Sequence, residues 1–406
     1  MSRTICEHKT CTGCAACRDI CPKHCITMEA DAMDATFPVI DESTCINCGL
    51  CDKTCPNNRQ MDYRYPQKVW VAWSNDEEVR RTSASGGVAY ELCRYWINKG
   101  GVATGVVFDR EKGCYFVLVE KFEDIQPTQN SKYTFSDTDG IYRAVKEKLQ
   151  SGIPVLFIGV PCQVAGLRGY LKKDCDNLIT VDLICHGMPP SAYLQQHMEF
   201  IEHRKRERTS ELFFRDPKYN TNTFTFTLRN KDGKEFYNKK VLNTDNYQLG
   251  YHHALIYRDN CYQCRYARKE RITDLTIGDF SGLGKFATFE YEKSNTNCIL
   301  QNTDKGAKLL ANMQAAISIY ERPDKEAFEV EMQLKAPSVR HSRRAIFESE
   351  YKSSHDFECS ADVALRKEKM RVTKTRFILT IKNCMRSIIP QRVLSLLNRK
   401  NNHGNK

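Results

Sequence analysis

The chain has 406 residues, 20 of them cysteine, and a formal net charge of +11 from 61 Lys and Arg against 50 Asp and Glu. Its start, MSRTICEHKT, lacks the apolar core of a secretory signal, and no run approaches the ~20 apolar residues of a spanning helix. A secreted, cross-linked protein and an integral membrane protein are therefore not expected. The cysteines point to metal in a reducing, cytoplasmic setting, and the length allows roughly two to three domains.

Residues 11–25 read CTGCAACRDICPKHC, in which Cys11, Cys14, Cys17 and Cys21 form C-x2-C-x2-C-x3-C, followed by Pro22. Three thiolates spaced by two residues can wrap one corner of an iron-sulfur cube, and the fourth needs a different cluster. A second copy is present, CINCGLCDKTCP, with Cys45, Cys48, Cys51 and Cys55 before Pro56. Residues 5–57 thus resemble bacterial two-cluster ferredoxins. Carried over, that resemblance assigns Cys11, Cys14, Cys17 and Cys55 to one 4Fe-4S cluster, and Cys45, Cys48, Cys51 and Cys21 to the other. The apolar runs Ile26–Met28 and Phe37–Ile40 supply a strand pair. Zinc sites usually separate their C-x2-C pairs by longer loops, and a disulfide framework needs an oxidising compartment. Cys6 and Cys25 are surplus and read as unligated.

After NNRQMDYRYP (57–66), the expected boundary, strands and helices alternate. QKVWVAWS (67–74) and GVATGVVF (101–108) are predicted strands, with a helix over Val88–Asn98 between them. The apolar runs IPVLFIG (153–159) and NLITVDLIC (177–185) are followed by helices starting near Pro161 and near Ser191. Such runs indicate a mostly parallel sheet covered on both faces. Residues 211–240 switch to period-two alternation around Asp232-Gly233 and read as a hairpin insert.

From Arg366 onward, twelve Lys and Arg face one acid, Glu368, so the preceding residues balance to zero and no nucleic-acid partner is expected. In this tail Ile378, Ile381, Met385 and Ile388 or Ile389 recur at helical spacing, with Lys382 and Arg386 between them. A basic amphipathic helix can lie on an anionic membrane surface or dock on an acidic partner; a helix packed on the body with a basic end fits equally. The fold class expected is an α+β ferredoxin-like two-cluster module followed by an α/β domain with a mostly parallel sheet and a β-hairpin insert. The divisions are 1–60, 66–150, 151–345 and a basic helical tail over 346–406.

Four body motifs fall where open α/β sheets place ligands, at the carboxyl ends of strands. TSASGG (82–87) precedes a helix, so Ser83, Ser85, Gly86 and Gly87 leave amides that suit a phosphate, or form an ordinary N-cap. FIGVPCQVAGL (157–167) puts Cys162 at a strand-to-helix turn. DLICHG (182–187) ends a strand with Cys185 and His186. CYQCRYARKERITDLTIGDF (261–280) has the C-x2-C pair Cys261 and Cys264, then a strand ending at Gly278-Asp279.

Together with SKY (131–133) and FRD (214–216), these motifs fall in the order seen in the family of coenzyme F-420 hydrogenase/dehydrogenase beta subunits, which residues 66–300 resemble. The resemblance implies an oxidoreductase in which FAD exchanges a hydride with a small-molecule substrate while clusters exchange single electrons with a redox partner protein or ferredoxin. It implies that Ser83, Ser85, Gly86 and Gly87 take the flavin diphosphate, with Tyr133 and Asp279 also at the cofactor. Lys132 would face the isoalloxazine or substrate, and His186 would pass a proton. Read alone, Lys132 is a surface lysine and His186 a hydrogen-bonded loop residue. Family members often carry tryptophan after GDF; here Ser281 stands there, and MPPS follows DLICHG, so the substrate is not inherited. Some relatives reduce a vinyl group on a chlorophyll precursor, and others accompany surface-polysaccharide genes. An electron-transfer subunit without a substrate site, or a non-redox role, stays open.

Ten cysteines lie outside the ferredoxin module. Cys93, Cys114 and Cys298 read as core thiols. Cys162, Cys185, Cys261 and Cys264, converging on one rim, would bind a third 4Fe-4S cluster or a structural zinc, or include one catalytic thiol.

Overall fold

The computed structural model describes residues 4–241 and 243–388, with side chains as far as Ile378. The tail from residue 389, Ile389 included, and the side chains of Ile381, Lys382, Cys384, Met385, Arg386 and Ile388 lie outside the described residues.

Near the N-terminus β1 (Ile26–Ala30) and β2 (Thr36–Ile40) pair antiparallel, with Ile26 opposite Ile40. A short helix sits in each cysteine motif, Ala16–Asp19 and Leu50–Thr54. The body adds β3 (Lys68–Ser74), β4 (Val102–Asp109), β5 (Gly113–Val119), β6 (Ser136–Asp137), β7 (Val155–Gly159), β8 (Leu178–Leu183), β9 (Glu211–Phe213), β10 (Phe226–Arg229), β11 (Glu235–Lys239), β12 (Leu275–Asp279), β13 (Asn297–Gln301) and β14 (Ile317–Arg322). Nine of them form one sheet in the order β14-β3-β13-β12-β8-β7-β4-β5-β6, and β11-β10-β9 form a small antiparallel sheet.

The large sheet is mixed, which corrects the expectation of a mostly parallel one. Parallel pairing is confined to the central run β12-β8-β7-β4 and to the short β5-β6 pair. β4 turns directly into β5 through a tight hairpin closed at Gly113, whose φ is +76°, and on the other flank β12, β13, β3 and β14 alternate in direction. Continuous apolar runs report burial on both faces, and both parallel and antiparallel central strands meet that condition. The hairpin insert forms as β10 and β11, but β9 joins it as a third strand.

Alternation along β7 shows how the core is divided. Val155 and Phe157 face Ile141, Tyr142, Val145, Val164 and Leu167 from helices on one side of the sheet. Leu156 faces Val88 and Leu92 of helix Val88–Asn98 on the other. Cys14 and Ala16 join the first of these layers, so the cysteine module packs on the body's own core. A third apolar cluster joins helix Ser191–Lys205, the small sheet, helix Asn246–His252 and the helices Arg344–Ser354 and Phe357–Ala364. Phe347, Tyr351, Phe357, Ala361 and Leu365 are fully buried there, so the first part of the segment expected as a tail is body, and helix Arg366–Ile388 follows it.

Strand order sets the site. β3 runs in the same direction as β12, being antiparallel to β13 as β12 is, and Asp279, Asn297 and Ala72 lie at one level across the three strands. The carboxyl ends of β3, β12, β8 and β7 therefore share one rim.

Candidate functional site

The two cysteine motifs repeat their backbone. Gly13 and Ala15 are left-handed, with φ of +65° and +58°, and so are the matching Asn47 and Gly49, at +53° and +69°. Each left-handed residue turns a stretch of amides inward, a concave arrangement that suits an anion. One cavity is lined by Cys11, Cys14, Cys17 and Cys55. The other is lined by Cys21, Cys45, Cys48 and Cys51. The fourth cysteine of each motif thus lines the other motif's cavity, the exchange the spacing predicts. Burial pushes the Cys14 thiol up to about 11, as befits thiols that ionise only against a metal. Among the described residues, no three His, Cys, Asp or Glu stand close enough to hold one metal ion. Four cysteines around each space supply the all-sulfur donor set that a cluster takes.

The two surplus cysteines also line these cavities. Cys25 brings its sulfur to 3.4 Å from that of Cys21, and Cys6 is in hydrogen-bond contact with Cys11 and Cys55.

Cys162, in the first turn of helix Pro161–Leu171, packs with Cys185, which follows β8, and with Cys264, which directly follows the turn Asp259–Gln263 that holds Cys261. Burial first, then the nearby Cys185, Cys264 and Cys261, pushes the Cys162 thiol well up. The amide of Met188 donates to the Cys261 sulfur at 3.4 Å. One turn beyond Cys162, Gly166 presses on the first cradle: a Cβ there would lie 3.1 Å from the Cys14 sulfur. A Cβ on Gly169 would collide with the Thr54 carbonyl oxygen, so this helix carries small residues where the cysteine module seats. Cys93, Cys114 and Cys298 are buried.

Beyond Cys185 the rim holds a polar group. Arg215, 3% exposed at its side chain, donates from Nη1 to both Asp279 oxygens, at 3.0 and 2.8 Å, and Ser85 hydrogen-bonds the same carboxylate. Phe224 covers the guanidinium at 4.2 Å, and Tyr133 stacks on Tyr251 at 4.7 Å within hydrogen-bond reach of Arg215. Burial holds His252 down to about 4, with His186 beside it adding to the effect. His186 is likewise below the usual imidazole range, because desolvation outweighs Glu331 at 3.9 Å. Ser281 donates to that same Glu331 at 3.1 Å. No acceptor among the described residues meets the amides of Ser85, Gly86 and Gly87. Behind the rim, the buried pair Arg271 and Asp182, at 2.5 Å, ties the segment before β12 to β8.

The predicted residues divide accordingly. Ser85, Tyr133, His186 and Asp279 gather at the rim. Ser83 is buried and accepts from Gln129 at 2.9 Å. Gly86 packs against the sheet, where a Cβ would meet the Ala72 carbonyl at 2.7 Å. Lys132 donates to the carbonyls of Pro127, Thr128 and Gln129 at 3.3, 3.1 and 2.7 Å, so its amine is committed to its own loop, and burial lowers it to about 8. Sequence reasoning does not single out Arg215, Phe224, Tyr251 or His252. The FRD run is the one signal for Arg215, and the others reach the rim through the folding of the insert and the helix after it.

Three family models match the chain in order. They are a 4Fe-4S dicluster domain over residues 10–58, the N-terminal region of the coenzyme F420 hydrogenase/dehydrogenase beta subunit over 69–141, and the C terminus of that beta subunit over 154–327. The chain is 27% identical over 197 residues to a subunit of the F(420)H(2) dehydrogenase of Methanosarcina mazei, covering 45% of this chain and 54% of that protein. It spans about half the length of that curated relative. A chain of the F420-reducing NiFe hydrogenase complex from Methanosarcina barkeri, solved as a xenon derivative, aligns over 78% of this chain and 94% of its own length, at 16% identity and a TM-score of 0.42.

Proposed function

Because the chain belongs to the family of coenzyme F420 hydrogenase/dehydrogenase beta subunits and carries a 4Fe-4S dicluster domain, we propose that it is an iron-sulfur flavoprotein oxidoreductase. Cys11, Cys14, Cys17 and Cys55 hold one cluster, and Cys45, Cys48, Cys51 and Cys21 hold the second. Cys162, Cys185, Cys261 and Cys264 hold a third. Four-cysteine sites serve zinc as well, but the contact of the Cys162 helix with the first cradle, through Gly166, favours a redox group there.

One observation carries the reading: a continuous line of groups. Helix Pro161–Leu171 touches Cys14 through Gly166 and bears Cys162 in the quartet, while Cys185 adjoins His186 at the rim beside Arg215 and Asp279. At that rim the open amides of Ser85, Gly86 and Gly87 would meet the flavin diphosphate, and the Arg215-Asp279 pair and Tyr133 would position the ring. A flavin supplies the exchange between one-electron clusters and two-electron hydride chemistry. His186 and His252, both kept neutral, are placed to accept a proton from a small-molecule substrate. The second cradle carries exposed Cys48 and Ile46, a face where a redox partner protein would deliver or collect electrons. No helix among the described residues is long and apolar enough to cross a membrane, and the basic helix Arg366–Ile388 would bind an anionic surface peripherally from the cytoplasm.

Anaerobic purification with iron and sulfide assay, and chromatography of the released cofactor, tests the reading. FAD at about one per chain is expected. Full iron with no flavin, even after incubation with FAD, would favour a carrier subunit, which the commitment of Lys132 to its own loop would also suit.

A further inference from the structure

Among the described residues four arginines are buried: Arg215, Arg258, Arg271 and Arg344. Three have carboxylate partners, namely Asp279 for Arg215, Asp182 for Arg271, and Glu348 with Asp259 for Arg344. Arg258, 2% exposed, makes no ion pair among the described residues. Its guanidinium meets only neutral oxygens, Thr36 Oγ1 at 3.2 Å, the Thr36 carbonyl at 3.0 Å and Asn260 Oδ1 at 3.4 Å. It lies 4.7 Å from the Phe135 ring centre and 5.7 Å from that of Phe37. Asp31 and Asp259 line the same cavity, but Asp31 faces His8 at 3.7 Å and Asp259 is shared by Arg340 and Arg344.

A buried cation without a counter-charge is costly, so a native fold that keeps one has an anion nearby. The other side of this guanidinium points to which. It packs against the loop between Cys11 and Cys14, where a Cβ on Gly13 would lie 2.7 Å from Nη2. Arg258 lines one cavity with Cys11, and its carbonyl accepts from the Cys261 amide at 3.0 Å. Arg258 thus stands between the first cradle and the quartet.

We propose that Arg258 is the counter-charge of the cluster in the first cradle and holds its reduction potential up. A thiolate-bound cluster is anionic and gains one more negative charge on reduction, so a fixed buried cation stabilises the reduced form more than the oxidised one. The same residue adjoins the quartet through its carbonyl at the Cys261 amide.

This inference rests on the assignment of a cluster to Cys11, Cys14, Cys17 and Cys55, so iron is counted first. The test is an anaerobic redox titration of the full chain, followed by cluster spectroscopy, in R258Q and R258K. R258Q is expected to keep its iron while at least one cluster transition moves to more negative potential, and R258K is expected to titrate like the parent. A second pair guards against loss of fold in R258Q. Thr36→Asp places a carboxylate on the guanidinium and is expected to give the same negative shift, while Thr36→Asn gives none. Iron-loaded R258Q or T36D with every transition unmoved would overturn the proposal. A parent protein without cluster iron would instead overturn the ligand assignment.

Discussion

The sulfur of Cys25 lies 3.4 Å from that of Cys21, inside the cavity that Cys45, Cys48 and Cys51 also line. Cys21 thus has a second thiol in contact four residues on, already facing the space the cluster would fill. C21S is therefore expected to keep the second cradle's iron through Cys25, whereas C21S/C25S loses about four irons per chain. Equal iron loss in both variants would show that Cys25 cannot reach the cluster.

The Arg215 guanidinium grips both oxygens of Asp279, with Phe224 over its face. R215M removes one charge-assisted contact, worth ~1.5–3 kcal/mol, from the proposed flavin rim. FAD affinity by equilibrium dialysis should fall by about tenfold or more, with iron content unchanged. Unaltered affinity would move the flavin away from this rim.

His197 is buried between Asp245, at 3.0 Å, and Glu358. Burial opposes its charge, but the two carboxylates outweigh burial and raise it to about 10, while Asp245 is held at about 2 because His197 and hydrogen bonds outweigh its own desolvation. The unfolded imidazole titrates near ~6.5, so the stability from His197 is complete below that pH and is lost as pH rises through about 10. The Asp245 contribution has the opposite sense: it is present above ~3.9 and lost as pH falls through about 2. Urea midpoints should decline between pH 7 and 10.5, and H197F should flatten that decline.

Helix Arg366–Ile388 leaves Met370, Phe377 and Ile378 exposed among Arg371, Lys374 and Arg376. Co-sedimentation with vesicles rich in anionic lipid is expected to fall sharply for R371E/K374E/R376E and with raised salt. Binding that ignores both changes would leave the helix as packing alone.

The cysteine pattern was legible because cluster ligation is set by spacing within a few residues, and the exchange of Cys21 and Cys55 follows from that spacing. The rim was partly legible, since His186 and Asp279 stand at strand ends that apolar runs reveal and Ser85 stands just before helix Val88–Asn98. Strand direction was not, because β3 and β4 carry the same two-face burial whichever neighbours they take. Nor was the commitment of the Lys132 amine, which depends on how residues 127–129 curl beneath it. Arg258 sits in IYRDNC, a stretch with nothing to mark a buried cation, and its place is decided by the docking of two modules far apart in sequence.

On the proposed reading, cluster sites lead from the cysteine module through the quartet to the rim. Iron and acid-labile sulfide per chain, measured anaerobically on the parent and on C261S/C264S, tests it most directly. About twelve irons are expected in the parent and about eight in the variant. The same iron count in both proteins, with zinc lost from the variant, would contradict it.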